Sequence, residues 1–344
     1  MHSLIRLLLL LAIISLTPLQ TLTAAGLNQA REIHARHSDA LFKNPRVVAT
    51  GIGVSAAGTP VIKVYIESGK PDGIPTQLEG LRVETTVSGK IFAARGNCNN
   101  DNANPNACRP DVPQAPPGSG VATARYDRPV PVGVSTGHTN ITAGTLGCRV
   151  QVGCHNYALS NNHVFADEGN AAIGDDILQP GPFDGGSAPD DVIGTLYDYE
   201  PIIFSTAASN IMDAALVAVD TAMLGTATLN DGYGSPLSET VAATPGMTVM
   251  KYGRTTGFTS GTVDAINVTV NIGYDSGVAR FIEQIIIKPA RFSDGGDSGS
   301  LIVVEGGADD RKPVGLLFAG SHAYTIANPI GPVLDRFGAT IQGE

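Results

Sequence analysis

FSDGGDSGSLIVV, Phe292 to Val304, sets two aspartates, three serines and three glycines in its first ten residues, then turns into an apolar run. Glycine costs roughly 0.5 to 1 kcal/mol against alanine in regular structure unless the backbone needs positive φ or close approach to another group. Three glycines around one serine describe a loop that presents a hydroxyl just before a buried strand. A serine hydroxyl is a weak nucleophile until a base takes its proton, and acyl transfer also needs donors where the oxyanion develops. Ser298 supplies the hydroxyl, and the N–H groups of Gly296 and Ser298 are the candidate oxyanion donors.

Outward from this stretch, residues 121–344 break into short apolar runs separated by Gly, Pro, Asn and Asp, among them VPVGVSTG, YALSNNHVF, DAALVAV, MTVMKYGRTTG, FIEQIIIKPA and PVGLLFAGS. Turn signals at such regular spacing predict a mainly β fold, a barrel or sandwich. PIGPVLDRFGATI predicts a short C-terminal helix with Val333, Leu334 and Phe337 turned inward. Residues 26–95 predict a small α+β domain with its own core: a helix in LNQAREIHARHSDALF, strands in VVATGIGVS, PVIKVYIES, LRVETTV and KIFAA, and a helical turn in QLEGL. Residues 96–120 are nearly free of large apolar side chains and read as an Asn/Pro-rich linker.

The nucleophile needs a base and an orienting carboxylate. His163 stands at the end of the apolar strand YALSNN among small polar residues, where it can face a cleft. Asp213 opens DAALVAV, and a carboxylate entering a buried strand is costly unless paired. Pairing with His163 would meet that cost. Asp190, Asp191 and Asp220 are rivals, but the first two lie in an open polar loop and the third at the strand's far end.

SNNHVFA, DAALVAV and GGDSGSL, in that order and 50 and 85 residues apart at their reactive positions, resemble the His, Asp and Ser motifs of chymotrypsin-like (trypsin-like) serine proteases. The usual forms are T-A-A-H-C, D-I-A-L and G-D-S-G-G-P. Here Asn161 and Asn162 replace the paired alanines, Val164 the cysteine, and Ser300-Leu301 the Gly-Pro. The resemblance implies a protease domain over residues 121–344, two six-stranded β-barrels with the site between them. It also implies His163 as general base and acid, Asp213 as orienting carboxylate, Ser298 as nucleophile, and Gly296 and Ser298 as oxyanion donors. Phe292, six residues before the nucleophile, then lies at the base of the primary pocket, where an aspartate would select Lys or Arg. Phe318, Ala319 and Gly320 lie beside the substrate strand, so an apolar or small side chain is expected, with His322 an alternative reader of acidic ones. No R-I-V-G-G activation sequence is present, and Asp297 is expected to have an internal partner, with Arg254 the candidate.

The remaining sequence bounds the setting. Residues 1–25 carry a basic start, an apolar core and small residues before Ala25, the pattern of a secretory signal, which predicts a secreted or periplasmic protein with no membrane span after its removal. With 22 basic against 32 acidic residues and a net charge of −10, nucleic acid is not an expected partner. Export makes disulfides the expectation for the four cysteines, with local pairs Cys98–Cys108 and Cys148–Cys154 because each brackets a short turn-like stretch. No metal or other cofactor is expected: the spacings match no zinc pattern, and His34 and His37 read as solvent-exposed. The expected function is a secreted, monomeric serine endopeptidase acting on protein or peptide substrates. The alternatives are a silent binding protein on the same fold or an esterase using the same triad.

Overall fold

The structure, a computed structural model, describes residues 24–93 and 121–344. The expected signal segment through residue 23, the 96–120 linker and the Cys98–Cys108 pair lie outside the described residues. The fold is mainly β, with two curled sheets and a C-terminal helix.

In the second sheet six strands close into a barrel. Gly257–Tyr274 pairs on one side with Thr248–Gly253 and on the other with Gly277–Lys288, and the ring is completed through Thr325–Pro329, Pro313–Gly320 and Leu301–Val304. The first sheet has eight strands, seven running from Ser135–His138 to Ala215–Val219 in the chain and the eighth the C-terminal Thr340–Ile341 at one end. Backbone bonds from Gly133 N to Leu146 O (2.6 Å) and from Leu146 N to Val134 O (2.9 Å) draw its ends together. The two barrels share an apolar seam in which Leu159, Met212 and Leu216 of the first meet Leu301, Val303 and Leu316 of the second. The helix Ile330–Phe337 lays Val333, Leu334 and Phe337 onto that seam, as its spacing predicts, and ends at Gly338 with φ 59°.

Residues 24–93 extend the second barrel. The strand Val47–Val54 pairs antiparallel with Gly257–Tyr274, placing Ala49 opposite Val270, and carries Pro60–Ile66 and Leu81–Val87 outward. The helix Ala24–Leu41 covers this extension, and Ala30, Leu41, Ile52 and Ile62 pack in one core with Val249, Val263 and Ile287.

Three local expectations are corrected. QLEGL forms a hairpin, Gln77–Leu78 against Leu81–Val87, because Glu79 (φ 46°) and Gly80 (φ 85°) both take the left-handed region that two-residue hairpin turns require. His34 is buried and hydrogen-bonded to Thr50 Oγ1 at 2.9 Å, while His37 meets Glu79 at 2.7 Å. Cys148 and Cys154 are unpaired. Cys148 points into the barrel core opposite Leu159, and Cys154 sits in the exposed turn at the far end of the same strand. Along an extended strand that separation is roughly 15 to 20 Å, against the ~7 Å limit between Cα atoms for a disulfide. Burial pushes the Cys148 thiol up to about 12, so it is inert as a nucleophile.

Candidate active site

Strand register explains how residues 50 apart come together. Ala215–Val219 pairs antiparallel with His155–Ser160, with Ala215 opposite Ser160. Stepping two residues back from Ala215 and three forward from Ser160 reaches Asp213 and His163 at the same end of the sheet. His163 stands in a short helix, Asn162–Phe165. Its Nδ1 lies 2.6 Å from Asp213 Oδ2, and its backbone N–H donates to Asp213 Oδ1 at 3.2 Å. The paired asparagines hold this corner from below: Asn161 Nδ2 donates to Asp213 O (2.8 Å) and Asn162 Nδ2 to Glu200 O (2.7 Å).

Asp213 is fully buried and tied to the second barrel as well. Asn328 on Thr325–Pro329 accepts from Asp213 N (3.2 Å) and donates to Asp213 O (3.1 Å), and Tyr274 Oη donates to Asp213 Oδ2 at 2.8 Å. The rival carboxylates serve elsewhere. Asp191 is clamped by Arg125 at 2.5 and 2.7 Å, and Asp220 accepts from Ala222 N in its own turn.

The Ser298 loop answers the question its glycines raise. Gly296 and Gly299 have φ of 96° and 95°. A Cβ on Gly296 would come 2.5 Å from Thr255 Oγ1, and one on Gly299 would come 2.1 Å from Ser160 Oγ and 2.2 Å from Thr145 O. Both sites therefore exclude a side chain by backbone conformation and by space. The loop is laced to the first barrel, with Thr145 N donating to Ser298 O (2.7 Å) and Thr145 Oγ1 to Gly296 O (2.9 Å). Ser298 Oγ donates to Phe318 O at 3.3 Å. His163 Nε2 is buried with no hydrogen-bond partner. Ser298 and His163 are 0% and 1% exposed.

Asp297 has an internal partner, but it is Lys251 rather than Arg254. Lys251 Nζ, wholly buried, lies 3.5 Å from Asp297 Oδ2, whose carboxylate also accepts from Thr255 N, Thr256 N, Thr256 Oγ1 and Asp294 N. Arg254 turns instead to Asp184, at 2.8 and 2.5 Å. The motif YGRTTG thus meets Asp297 through its threonines and the lysine just before it.

Of the residues expected at the substrate pocket, Phe292 and Phe318 are buried. Phe292 packs in the barrel core with Val263, Ile287 and Ile302, and Phe318 packs on Phe281 with ring centres 4.9 Å apart. Ala319 and Gly320 face a strand of this chain: they pair antiparallel with Ala93 and Phe92. His322 is exposed, and its ring fills the space a side chain on Gly89 would need, with Cε1 2.5 Å from that Cβ position.

Sequence reasoning missed Tyr274, Asn328 and Lys251. Asn328 and Lys251 carried a usable signal, a polar residue inside the apolar runs YTIANPI and MTVMKYG, since such a residue must be hydrogen-bonded or paired. Nothing in the spacing of Tyr274 marks its reach.

Among the described residues no helix is long and apolar enough to cross a membrane, and no group of three or more His, Cys, Asp or Glu side chains could hold a metal ion. A family model described as the Nal1 C-terminal domain matches residues 206–327, which include Asp213 and Ser298 and leave out His163. No curated protein matches the chain. Solved structures similar to it include a glutamic-acid-specific serine protease (21% identity, TM-score 0.45, over 62% of this chain and 100% of that one). Thermobifida fusca protease A is similar at 19% identity and TM-score 0.44, over 62% of this chain and 99% of that one. Cellulomonas bogoriensis chymotrypsin is similar at 19% identity and TM-score 0.42, over 64% and 100%. The structural neighbours are thus bacterial chymotrypsin-like serine proteases at low identity.

Proposed function

We propose that the chain is a secreted, monomeric serine endopeptidase, with Ser298 as nucleophile, His163 as general base and acid, and Asp213 as the orienting carboxylate. The observation that carries this reading is the buried 2.6 Å contact between His163 Nδ1 and Asp213 Oδ2. A carboxylate holding Nδ1–H commits the ring to the tautomer whose Nε2 can accept a proton, and Nε2 has no other partner here.

In the reaction Ser298 Oγ leaves the Phe318 carbonyl, passes its proton to Nε2 and attacks the peptide carbonyl. The imidazolium forms beside Asp213, and the N–H groups of Gly296 and Ser298 receive the oxyanion. Nε2 then protonates the departing amine, and water repeats the sequence to release the acyl group. A peptide rather than a simple ester fits the edge at Ala319 and Gly320, which already holds an extended segment of this chain in antiparallel register. The preference is for apolar or small side chains. The position six before Ser298 offers no carboxylate, and the Phe292 ring is turned into the core.

Residues 24–93 act in this reading as a latency segment, with Phe92 and Ala93 lying where substrate would pair, and a cut in 96–120 starts their release. The test is labelling by a fluorophosphonate of protein recovered from the culture medium. Labelling is expected for the wild type and absent in Ser298→Ala. Labelling that survives the substitution refutes Ser298 as the nucleophile. A folded, linker-cut wild type that takes up no label favours a silent binding protein on the same fold.

A further inference from the structure

We infer that Tyr274 is a positioning residue for the catalytic carboxylate, holding Asp213 through its hydroxyl from the tip of a hairpin that reaches across from the opposite barrel. The inference rests on the proposed protease reading.

The hairpin is longer than its barrel requires. Of the 18 residues in Gly257–Tyr274, the neighbouring strand Thr248–Gly253 uses only 257 to 262, and Thr325–Pro329 pairs with Gly277–Lys288 only at Ile285 to Ile287. Residues 266 to 270 pair instead with Val47–Val54, and the strand ends in the turn after Tyr274. That tip is anchored on the first barrel close to His163. Glu168, in the turn following the His163 helix, accepts from the backbone N–H groups of Asp275 (3.3 Å) and Ser276 (2.9 Å).

The anchored tip aims the Tyr274 ring. Phe204 and Phe281 pack on it with centres 5.7 and 6.1 Å away, and the His163 ring stands edge-on at 6.1 Å. Its hydroxyl donates to Asp213 Oδ2, the same oxygen that meets His163 Nδ1. The carboxylate is therefore fixed by three donors from two barrels: the His163 N–H on Oδ1, and the His163 ring and Tyr274 hydroxyl on Oδ2. Without the phenol the carboxylate would be held by His163, through its ring and its backbone N–H. The hydroxyl adds a donor from the opposite barrel, and charge-assisted bonds of this kind are stronger than neutral ones.

Tyr274→Phe tests the role, because it keeps the ring and deletes only the hydroxyl. The expected result is a fall in kcat of about tenfold with KM little changed, together with a displaced downfield proton resonance for the His163–Asp213 bond. An unchanged kcat and an unchanged resonance overturn the inference. The resonance needs no turnover, so it judges Tyr274 even if the wild type proves not to be a protease, a separate failure that absence of fluorophosphonate labelling would expose. Tyr274→Leu, which also removes the ring's edge-on contact with His163, should lower kcat further. If Tyr274→Phe matches Tyr274→Leu in unfolding midpoint and both lose activity only in proportion to lost stability, the role is structural and the inference falls.

Discussion

Ala93 lies opposite Ala319 in antiparallel register, and Phe92 lies opposite Gly320, so the strand edge just after Phe318, whose carbonyl accepts from Ser298 Oγ, is occupied by the end of the amino-terminal unit. Phe92 also pairs with Gly273, the residue before Tyr274. The end of the amino-terminal unit therefore grips the long hairpin as well as the edge at Ala319 and Gly320. If this short strand keeps the site shut, weakening it should open the site without touching the reactive side chains. Ala93 is nearly buried among Phe318, Ala319 and Ile326. An uncompensated carboxylate there costs several kcal/mol, more than a two-residue strand is expected to repay. Ala93→Glu should raise the fluorophosphonate labelling rate of the uncut chain about tenfold or more. A rate equal to the wild type's would show that another element hides Ser298.

The helix Ala24–Leu41 carries a pH-sensitive contact. Burial is the larger influence on His34 and brings its imidazole down to about 4, while the hydrogen bond with Thr50 acts in the opposite sense. The folded state thus refuses a proton that the unfolded state accepts below about 6.5. This contribution is complete above pH 6.5 and is lost as pH falls from there towards 4. By pH 4.5 the loss should reach about 2 kcal/mol. Comparing denaturant midpoints at pH 7 and 4.5 for the wild type and His34→Gln would isolate it. The variant should lose less on acidification, and parallel losses would mean that His34 stays neutral in both states or charged in both. Mild acid should also loosen the amino-terminal unit from the barrel it covers.

How much of this was legible in the sequence follows from the range of each interaction. The mainly β body and the C-terminal helix could be read because strand runs and turn residues are local signals, the double barrel followed from the resemblance of three short motifs, and those motifs marked His163, Asp213 and Ser298 as candidates. The joining of Val47–Val54 to the long hairpin was not legible, since any apolar strand can pair with any exposed edge and the choice lies in register. Lys251 and Arg254 are three residues apart, and which of them meets Asp297 depends on the fold: Lys251 is buried within Thr248–Gly253, while Arg254 stands just past its end and turns to Asp184. QLEGL reads as helical by composition, yet the positive φ of Glu79 and Gly80 outweighs that weak propensity. The Cys148–Cys154 pairing fails because nearness in sequence is not nearness in space along an extended strand.

The ion pair beneath the Ser298 loop yields the last prediction. Lys251 and Asp297 are both wholly buried, and burial is the main influence lowering the Lys251 pKa despite the opposing charge. The ammonium is further held by Thr256 Oγ1 and by Gly257 O at 3.0 Å, so its charge is both paired and hydrogen-bonded. Removing one partner of such a pair strands the other, at a cost of about 3 to 5 kcal/mol. Lys251→Met should therefore lower stability by about that amount. It should also slow labelling of Ser298, because the Asp297 carboxylate organises the loop through Asp294 N and the two threonine N–H groups. Adding Asp297→Asn removes the stranded charge, and the double variant should regain at least half of the lost stability. It should not regain full labelling, since an amide cannot accept at every bond the carboxylate made. Equal destabilisation in the single and double variants would show that packing around the Lys251 chain, rather than its charge, supports the loop.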